Sequence, residues 1–250
     1  MGVKCAVSDF DRTLYIDGGI SCENLMAIKD WREAGNLFLI ATGRNQASIR
    51  AFLERYSLNP DALILNNGAL ILDGAGRELF CRTIDKAAAK EVLRFLHGLG
   101  EEGSGVTMRK CKVNVLSGSP AATQITHRDQ ISIDQIDDLK EILQIHRRKR
   151  DRIWIRELCA MLNARFPLIS AYPNVWNGDI VAKGVNKSAA IDWFVRHWGG
   201  FDEIRVIGDS GNDIEMIKDY SGATLRNADI EVQAVASRIV EDVAEYLSIS

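Results

Sequence analysis

Residues 3–14 read Val3-Lys4-Cys5-Ala6-Val7-Ser8-Asp9-Phe10-Asp11-Arg12-Thr13-Leu14. A short apolar run ends there in two carboxylates two positions apart. A run of this length bounded by polar residues suits a strand buried on both faces. The pattern returns three times: at 37–41 before Thr42-Gly43-Arg44, at 62–65 before Asn66-Asn67-Gly68, and at 204–207 before Gly208-Asp209. Helical patterns lie between these runs, over 22–34, 45–57, 187–198 and 211–219. Strands alternating with helices predict parallel βαβ units in a doubly wound, Rossmann-like α/β sheet. Such sheets bind ligands beyond the carboxyl ends of their strands. Asp9, Thr42, Asn67 and Asp209 are therefore expected to converge on one edge.

The middle of the chain breaks the alternation. Residues 69–82 read as a hairpin turning at Asp73-Gly74-Ala75-Gly76, and a helix comes next over 85–98. Residues 106–116 alternate in part, and Pro120 with nearby Gly and Ser breaks the segment after them. Residues 134–149 and 156–165 read as helices, and 171–180 as one or two short strands. The expectation is a core of residues 1–79 and 183–250 with an α+β domain inserted at 80–182. The basic run His146-Arg147-Arg148-Lys149-Arg150-Asp151-Arg152 falls in that insertion. Without interleaved aromatics or a basic context, it reads as a solvated helix face before it reads as a nucleic-acid contact.

Composition narrows the classes. The 250 residues are 46% hydrophobic and 26% charged, which excludes a mostly disordered or collagen-like chain. A net charge of −3 gives no overall pull toward nucleic acid or an anionic membrane. Five dispersed cysteines form no CxxC pair, so they read as free thiols packed in a core, in a reducing compartment. His97, His127, His146 and His197 show no metal-ligand spacing. No apolar run approaches the roughly 18 residues of a membrane helix, and the N-terminus is no signal peptide. The expectation is a soluble, cytoplasmic protein without a nucleic-acid or membrane partner.

Four segments carry chemistry. In Asp9-Phe10-Asp11-Arg12-Thr13, paired carboxylates repel unless a cation or a shared proton joins them. Mg²⁺ takes oxygen ligands and binds through one or two carboxylates plus a phosphate. Gly208-Asp209-Ser210-Gly211-Asn212-Asp213 repeats the arrangement: Asp209 suits a further metal ligand, and Asp213 could hold a water ligand or a lysine. Thr42-Gly43-Arg44 offers a hydroxyl and backbone N–H groups to an oxyanion, although Thr42 alone reads as a helix N-cap. In Lys183-Gly184-Val185-Asn186-Lys187-Ser188, Lys187 opens a helix against the dipole, which hints at a use such as neutralising phosphate. Lys183 competes for that part.

In this order the segments resemble the haloacid dehalogenase superfamily of phosphatases, and the Asn66-Asn67-Gly68-Ala69, GVNKS, GDSGND and Arg226-Asn227-Ala228 segments are similar to its Cof-type branch. The resemblance implies a substrate-specifying cap at the insertion and phosphoryl transfer through an aspartyl-phosphate. It makes Asp9 the nucleophile and Asp11 the acid and base. Thr42, Gly43, Arg44, Asn67, Lys187 and Asn212 would bind the phosphate ester. Asp9, Asp11 (through its backbone carbonyl), Asp209 and Asp213 would form the Mg²⁺ site, Asp213 by orienting Lys187 and a metal-bound water. Arg12 departs from the family's frequent Gly, and Ser188 stands where Gly is common in the lysine segment. The implied activity is hydrolysis of a small phosphorylated metabolite such as a sugar phosphate. The readings weighed against it are a phosphomutase of the same superfamily and a catalytically idle regulatory or nucleic-acid-binding protein.

Overall fold

The computed structural model describes residues 2–100, 104–116 and 130–249. The chain opens with β1 (Lys4–Ser8), α1 (Cys22–Glu33), β2 (Leu37–Ala41), α2 (Gln46–Arg55), β3 (Ala62–Leu65), β4 (Leu70–Asp73) and β5 (Glu78–Cys81). Then come α3 (Lys86–Gly98), β6 (Ser104–Thr107), β7 (Lys112–Leu116), β8 (Gln130–Ser132), β9 (Gln144–Arg148), α4 (Arg152–Arg165), β10 (Ile169–Asn174) and β11 (Asn177–Ala182). The last third holds α5 (Lys187–Trp198), β12 (Glu203–Gly208), α6 (Ile214–Asp219), β13 (Ala223–Leu225), α7 (Ile230–Gln233), β14 (Arg238–Val240) and α8 (Val243–Ser248). These elements form two compact units. One is Met1–Arg44 with Ser48–Phe80 and Asn186–Ser250; the other is Cys81–Val185 with Asn45–Ala47.

The first unit carries an eight-stranded sheet in the order β14-β13-β12-β1-β2-β3-β4-β5. Its six strands from β14 to β3 run parallel, and β4 returns antiparallel to β3. The winding goes one way from β1 to β3 and the other way from β12 to β14, so it reverses between β1 and β12. That reversal is where doubly wound sheets open a crevice at their carboxyl edge. The core packs Val7, Leu39 and Ile64 of the sheet with Ile191 and Phe194 of α5 and Ile217 of α6. Strands covered on both faces need uninterrupted apolar sequence, which explains the short runs.

The second unit is α+β, with a six-stranded sheet in the order β10-β11-β9-β6-β7-β8 that is antiparallel except between β7 and β8. Helix α4 packs on β10 and β11, and α3 on β6.

Two sequence readings are corrected in this unit. Residues 134–149 are not a helix: Ile133–Asp138 forms a short 3-10 turn, and Gln144–Arg148 is a central strand paired with β6 on one side and β11 on the other. The basic run is therefore no solvated helix face. Arg147 is buried, its Nη1 donating to Gly100 O and to Ser104 Oγ, both at 2.9 Å. His146 is buried beside it, and burial followed by the nearby Lys112 charge pushes its imidazole down to about 3. The run changes structure at Asp151, whose carboxylate caps α4 by accepting the Trp154 N–H at 3.0 Å. That cap starts the helix at Arg152, ahead of the predicted 156.

The thiols divide. Cys5 and Cys159 are buried, and burial pushes each up to about 12; Cys81 is half-buried, and Cys22 and Cys111 are exposed. Core packing thus describes two of the five. The break read at Pro120 and the lone His127 lie outside the described residues. No described helix is long and apolar enough to cross a membrane.

Candidate active site

The carboxyl ends of β1 and β12 are tied together by the Asp9 N–H, which donates to Ile207 O at 2.9 Å. Beyond them, Asp9 and Asp209 leave the sheet side by side. Helix α5 begins opposite, capped by Asn186, whose side chain accepts the Ala189 N–H. With the cap satisfied, Lys187 turns inward. It is wholly buried, and its Nζ donates to Asp9 Oδ1 at 2.5 Å and to Asp213 Oδ1 at 2.6 Å. A lysine in the first turn works against the helix dipole, and these two carboxylates offset the cost. Lys183 is exposed in the second unit, so Lys187 is the lysine that joins the cluster.

Asp213 organises the loop after β12. Its Oδ2 accepts the N–H groups of Asp209 and Ser210 at 3.1 and 3.0 Å. Gly208 makes this close approach possible, since a Cβ there would stand 2.4 Å from Asp213 Cγ. Asp209 is fully buried, with Thr13 Oγ1 donating to Oδ1 and Ser210 Oγ to Oδ2, both at 2.8 Å. Arg12 Nη1 lies 3.1 Å from Asp209 Oδ2, and its Nη2 is 3.6 Å from Asp229. Arg12 adopts φ 66°, a left-handed conformation that costs a non-glycine residue strain.

The titrations stem from this crowding. Burial lifts Asp9 well above the usual carboxylate range; Lys187 opposes the rise, and the Asp213 and Asp209 charges add to it. Burial, then the Asp213 charge, raises Asp209 to about 6 against the pull of Arg12. Burial draws the Lys187 ammonium down, but Asp213 and Asp9 outweigh it and hold it above the ordinary lysine value. Oxygens of Asp9, Asp209 and Asp213 lie within 4.8 Å of one another. This set of hard oxygen donors, more negative than its cations, fits a hard divalent ion such as Mg²⁺. The Thr13 and Ser210 hydroxyls orient Asp209, as groups behind a metal ligand do.

Asp11 stands outside that cluster. Its half-exposed carboxylate is gripped by Arg44, with Nε to Oδ2 at 2.7 Å and Nη2 to Oδ1 at 2.6 Å. Thr42 is buried at the end of β2, where its hydroxyl accepts the Arg44 N–H at 3.2 Å. It is not the N-cap of α2, which starts later, at Gln46. Gly43 lies in the bend between. Asn66, Asn67 and Gly68 all take positive φ (50°, 55° and 102°). Gly68 is required as well by space, because a Cβ there would sit 2.3 Å from Asn186 O. Asn212 Nδ2 donates to Asn67 Oδ1 at 2.8 Å and so links the loops after β12 and β3.

Sequence reasoning gave no role to Thr13, Ser210 or Asp229. Thr13 and Ser210 were visible as hydroxyls inside the two acidic motifs; nothing local marks Asp229, which reaches the site only through folding. The Arg44–Asp11 pair was equally hidden, since 33 residues separate its members.

A family model described as haloacid dehalogenase-like hydrolase matches residues 6–249. A protein of Mycoplasma capricolum is 35% identical over 99 residues, so the match spans only 37% of either chain. A 5-amino-6-(5-phospho-D-ribitylamino)uracil phosphatase of Escherichia coli is 25% identical over 249 residues, covering 94% of this chain and 90% of the relative. A solved sugar phosphatase of haloacid dehalogenase subclass IIB shares the fold, with a TM-score of 0.80 and 22% identity over 98% of each chain.

Proposed function

The chain belongs to the haloacid dehalogenase-like hydrolases, and from that premise we propose that it is a Mg²⁺-dependent phosphatase acting on a small phosphorylated metabolite, of the sugar-phosphate kind. The observation that carries the reading is Lys187, buried between Asp9 and Asp213 with Asp209 alongside. The Escherichia coli relative is named for a phosphate on a ribityl chain, and the fold neighbour is a sugar phosphatase. Both names support a phosphate carried on a polyhydroxylated carbon chain. The inserted unit of residues 81–185 is the candidate for choosing that chain.

Asp9 attacks phosphorus in line, forming an acyl phosphate as the ester P–O bond breaks. Asp11 gives its proton to the departing alkoxide and then takes one from the water that cleaves the intermediate. Lys187 and the Thr42 hydroxyl hold the phosphoryl oxygens, where charge spreads in the transition state. Asp9, Asp209, Asp213 and the Asp11 carbonyl are the groups that would hold Mg²⁺, which supplies neutralisation of the phosphoryl oxygens when bound. Asp213 keeps Lys187 aimed at the nucleophile.

The test is phosphate release from a panel of sugar phosphates, nucleotides and small phosphorylated acids, with and without Mg²⁺. Acid-stable capture of a labelled phosphoenzyme accompanies it. The expected result is Mg²⁺-dependent release and a phosphoenzyme that Asp9→Asn abolishes. Full turnover in excess chelator, or by the Asp9→Asn protein, overturns the reading.

A further inference from the structure

We infer that Arg44 is the positioning residue of Asp11, fixing where the proton-handling carboxylate stands, and that it does not serve as a phosphate ligand. The inference rests on the phosphatase reading above. Arg44 directs three of its donors at two side chains: Nε and Nη2 make a two-pronged pair with Asp11 on the loop after β1, and Nη1 donates to Ser48 Oγ in α2 at 3.0 Å. No other described residue hydrogen-bonds the Asp11 carboxylate. The guanidinium also lies over the Phe52 ring at 4.4 Å and near Phe10 at 5.5 Å. Phe52 is itself wedged edge-on against Phe10 and Tyr15, with centroids 5.5 and 5.0 Å away. The backbone is pinned too, the N–H on Thr42 Oγ1 and the carbonyl accepting the Asn66 N–H at 3.0 Å.

A planar fork clamped on an aromatic face can fix both oxygens of a carboxylate, which a lysine's point charge cannot do. A half-exposed aspartate on a loop would otherwise sample several rotamers. Held by Arg44, Asp11 keeps one lone pair on each oxygen free to carry the proton that passes to the leaving group. Three of the five N–H donors of Arg44 are committed in this way, and the two that remain sit on nitrogens whose direction Asp11 and Ser48 already fix.

The two roles separate in a series of aryl phosphates running from p-nitrophenyl phosphate, a good leaving group, to phenyl phosphate, a poor one. Proton donation matters for the poor leaving group and little for the good one. Arg44→Lys should cut kcat/KM for phenyl phosphate at least tenfold and for p-nitrophenyl phosphate less than threefold. Inhibition by inorganic phosphate should be unchanged. In an Asp11→Asn background, Arg44→Lys should add less than twofold. Phe52→Leu, which removes the platform and no charge, should move the leaving-group dependence the same way by a smaller amount. Equal losses across the series, with inorganic phosphate bound tenfold more weakly, would overturn the inference and make Arg44 a phosphate ligand. If Asp11→Asn shows no leaving-group dependence, Asp11 is not the proton donor and the inference falls; if the wild type releases no phosphate from any aryl ester, sugar phosphate, nucleotide or phosphorylated acid, the phosphatase reading beneath it fails instead.

Discussion

Lys187→Met tests the centre of the site, because it removes one fully buried ammonium and leaves the carboxylates around it. In the native protein that ammonium holds both Asp9 Oδ1 and Asp213 Oδ1. Removing one partner of a buried ion pair costs about 3–5 kcal/mol, since an uncompensated charge stays behind. Asp213 keeps two backbone N–H donors, whereas Asp9 loses the group that opposed its rise. Asp9 should therefore take up a proton in the variant. An acid whose folded value is raised binds more protons folded than unfolded, so its contribution falls as pH rises from the unfolded value toward the folded one. The cost of Lys187→Met should thus be larger at pH 8 than at pH 5. Urea unfolding of both proteins, in chelator at the two pH values, measures it. At pH 8 the loss should reach about 3–5 kcal/mol, or a melting temperature lower by about 10 °C for a chain of this size. A cost below about 1 kcal/mol, or one independent of pH, would refute the picture of Lys187 as the cluster's counter-ion.

Asp209→Asn should weaken Mg²⁺ binding, read by calorimetry, far more than it shifts the unfolding midpoint, because Thr13, Ser210 and Arg12 remain to fill the space. In metal-free protein the raised Asp209, at about 6, destabilises as pH climbs from about 4 to 6; the same titration should make Mg²⁺ binding weaken below about pH 6, and a flat profile would contradict it. Arg12→Gly relieves a left-handed conformation worth about 1–2 kcal/mol but removes the cation 3.1 Å from buried Asp209, so the metal-free variant should be no more stable than the native protein and should bind Mg²⁺ about tenfold more tightly by Coulomb attraction; unchanged Mg²⁺ affinity by calorimetry would contradict it. Gly208→Ala drives a Cβ to 2.4 Å from Asp213 Cγ, and should cost about 1–3 kcal/mol as overpacking does while lowering phosphate release through displaced Asp213; a neutral substitution would mean that the loop yields freely.

What the sequence could show was what each segment states locally. The four short apolar runs became β1, β2, β3 and β12, because strands covered on both faces leave no room for polar interruption. Lys187 stood out because its placement opposed the helix dipole, a misfit that only a distant partner resolves. The basic run failed for the complementary reason. Arg147 and His146 look solvated in sequence, yet β9 lies between two other strands, and the acceptors of Arg147 are supplied by Gly100 and Ser104. Charge in a local stretch does not reveal a partner some 45 residues away. Arg44 is a like case: beside Thr42 it suggests a phosphate ligand, and nothing in that local stretch shows its pair with Asp11, 33 residues away.

The charge arrangement also orders the events at the site. With all three ionised, Asp9, Asp209 and Asp213 outnumber the cations Lys187 and Arg12 that face them. A phosphate monoester dianion approaching this set meets net negative charge in a buried place, where Coulomb repulsion is poorly screened. A divalent cation reverses the sign. On the proposed reading, substrate and cation should bind with positive coupling, and linkage requires each to strengthen the other by the same factor. The carboxylate excess that lowers the stability of the empty fold would thus be what makes phosphate affinity depend on the cation in the proposed reaction. It also explains why Arg12 is tolerated in a strained conformation: on Asp209, it partly supplies the missing positive charge when no other cation does.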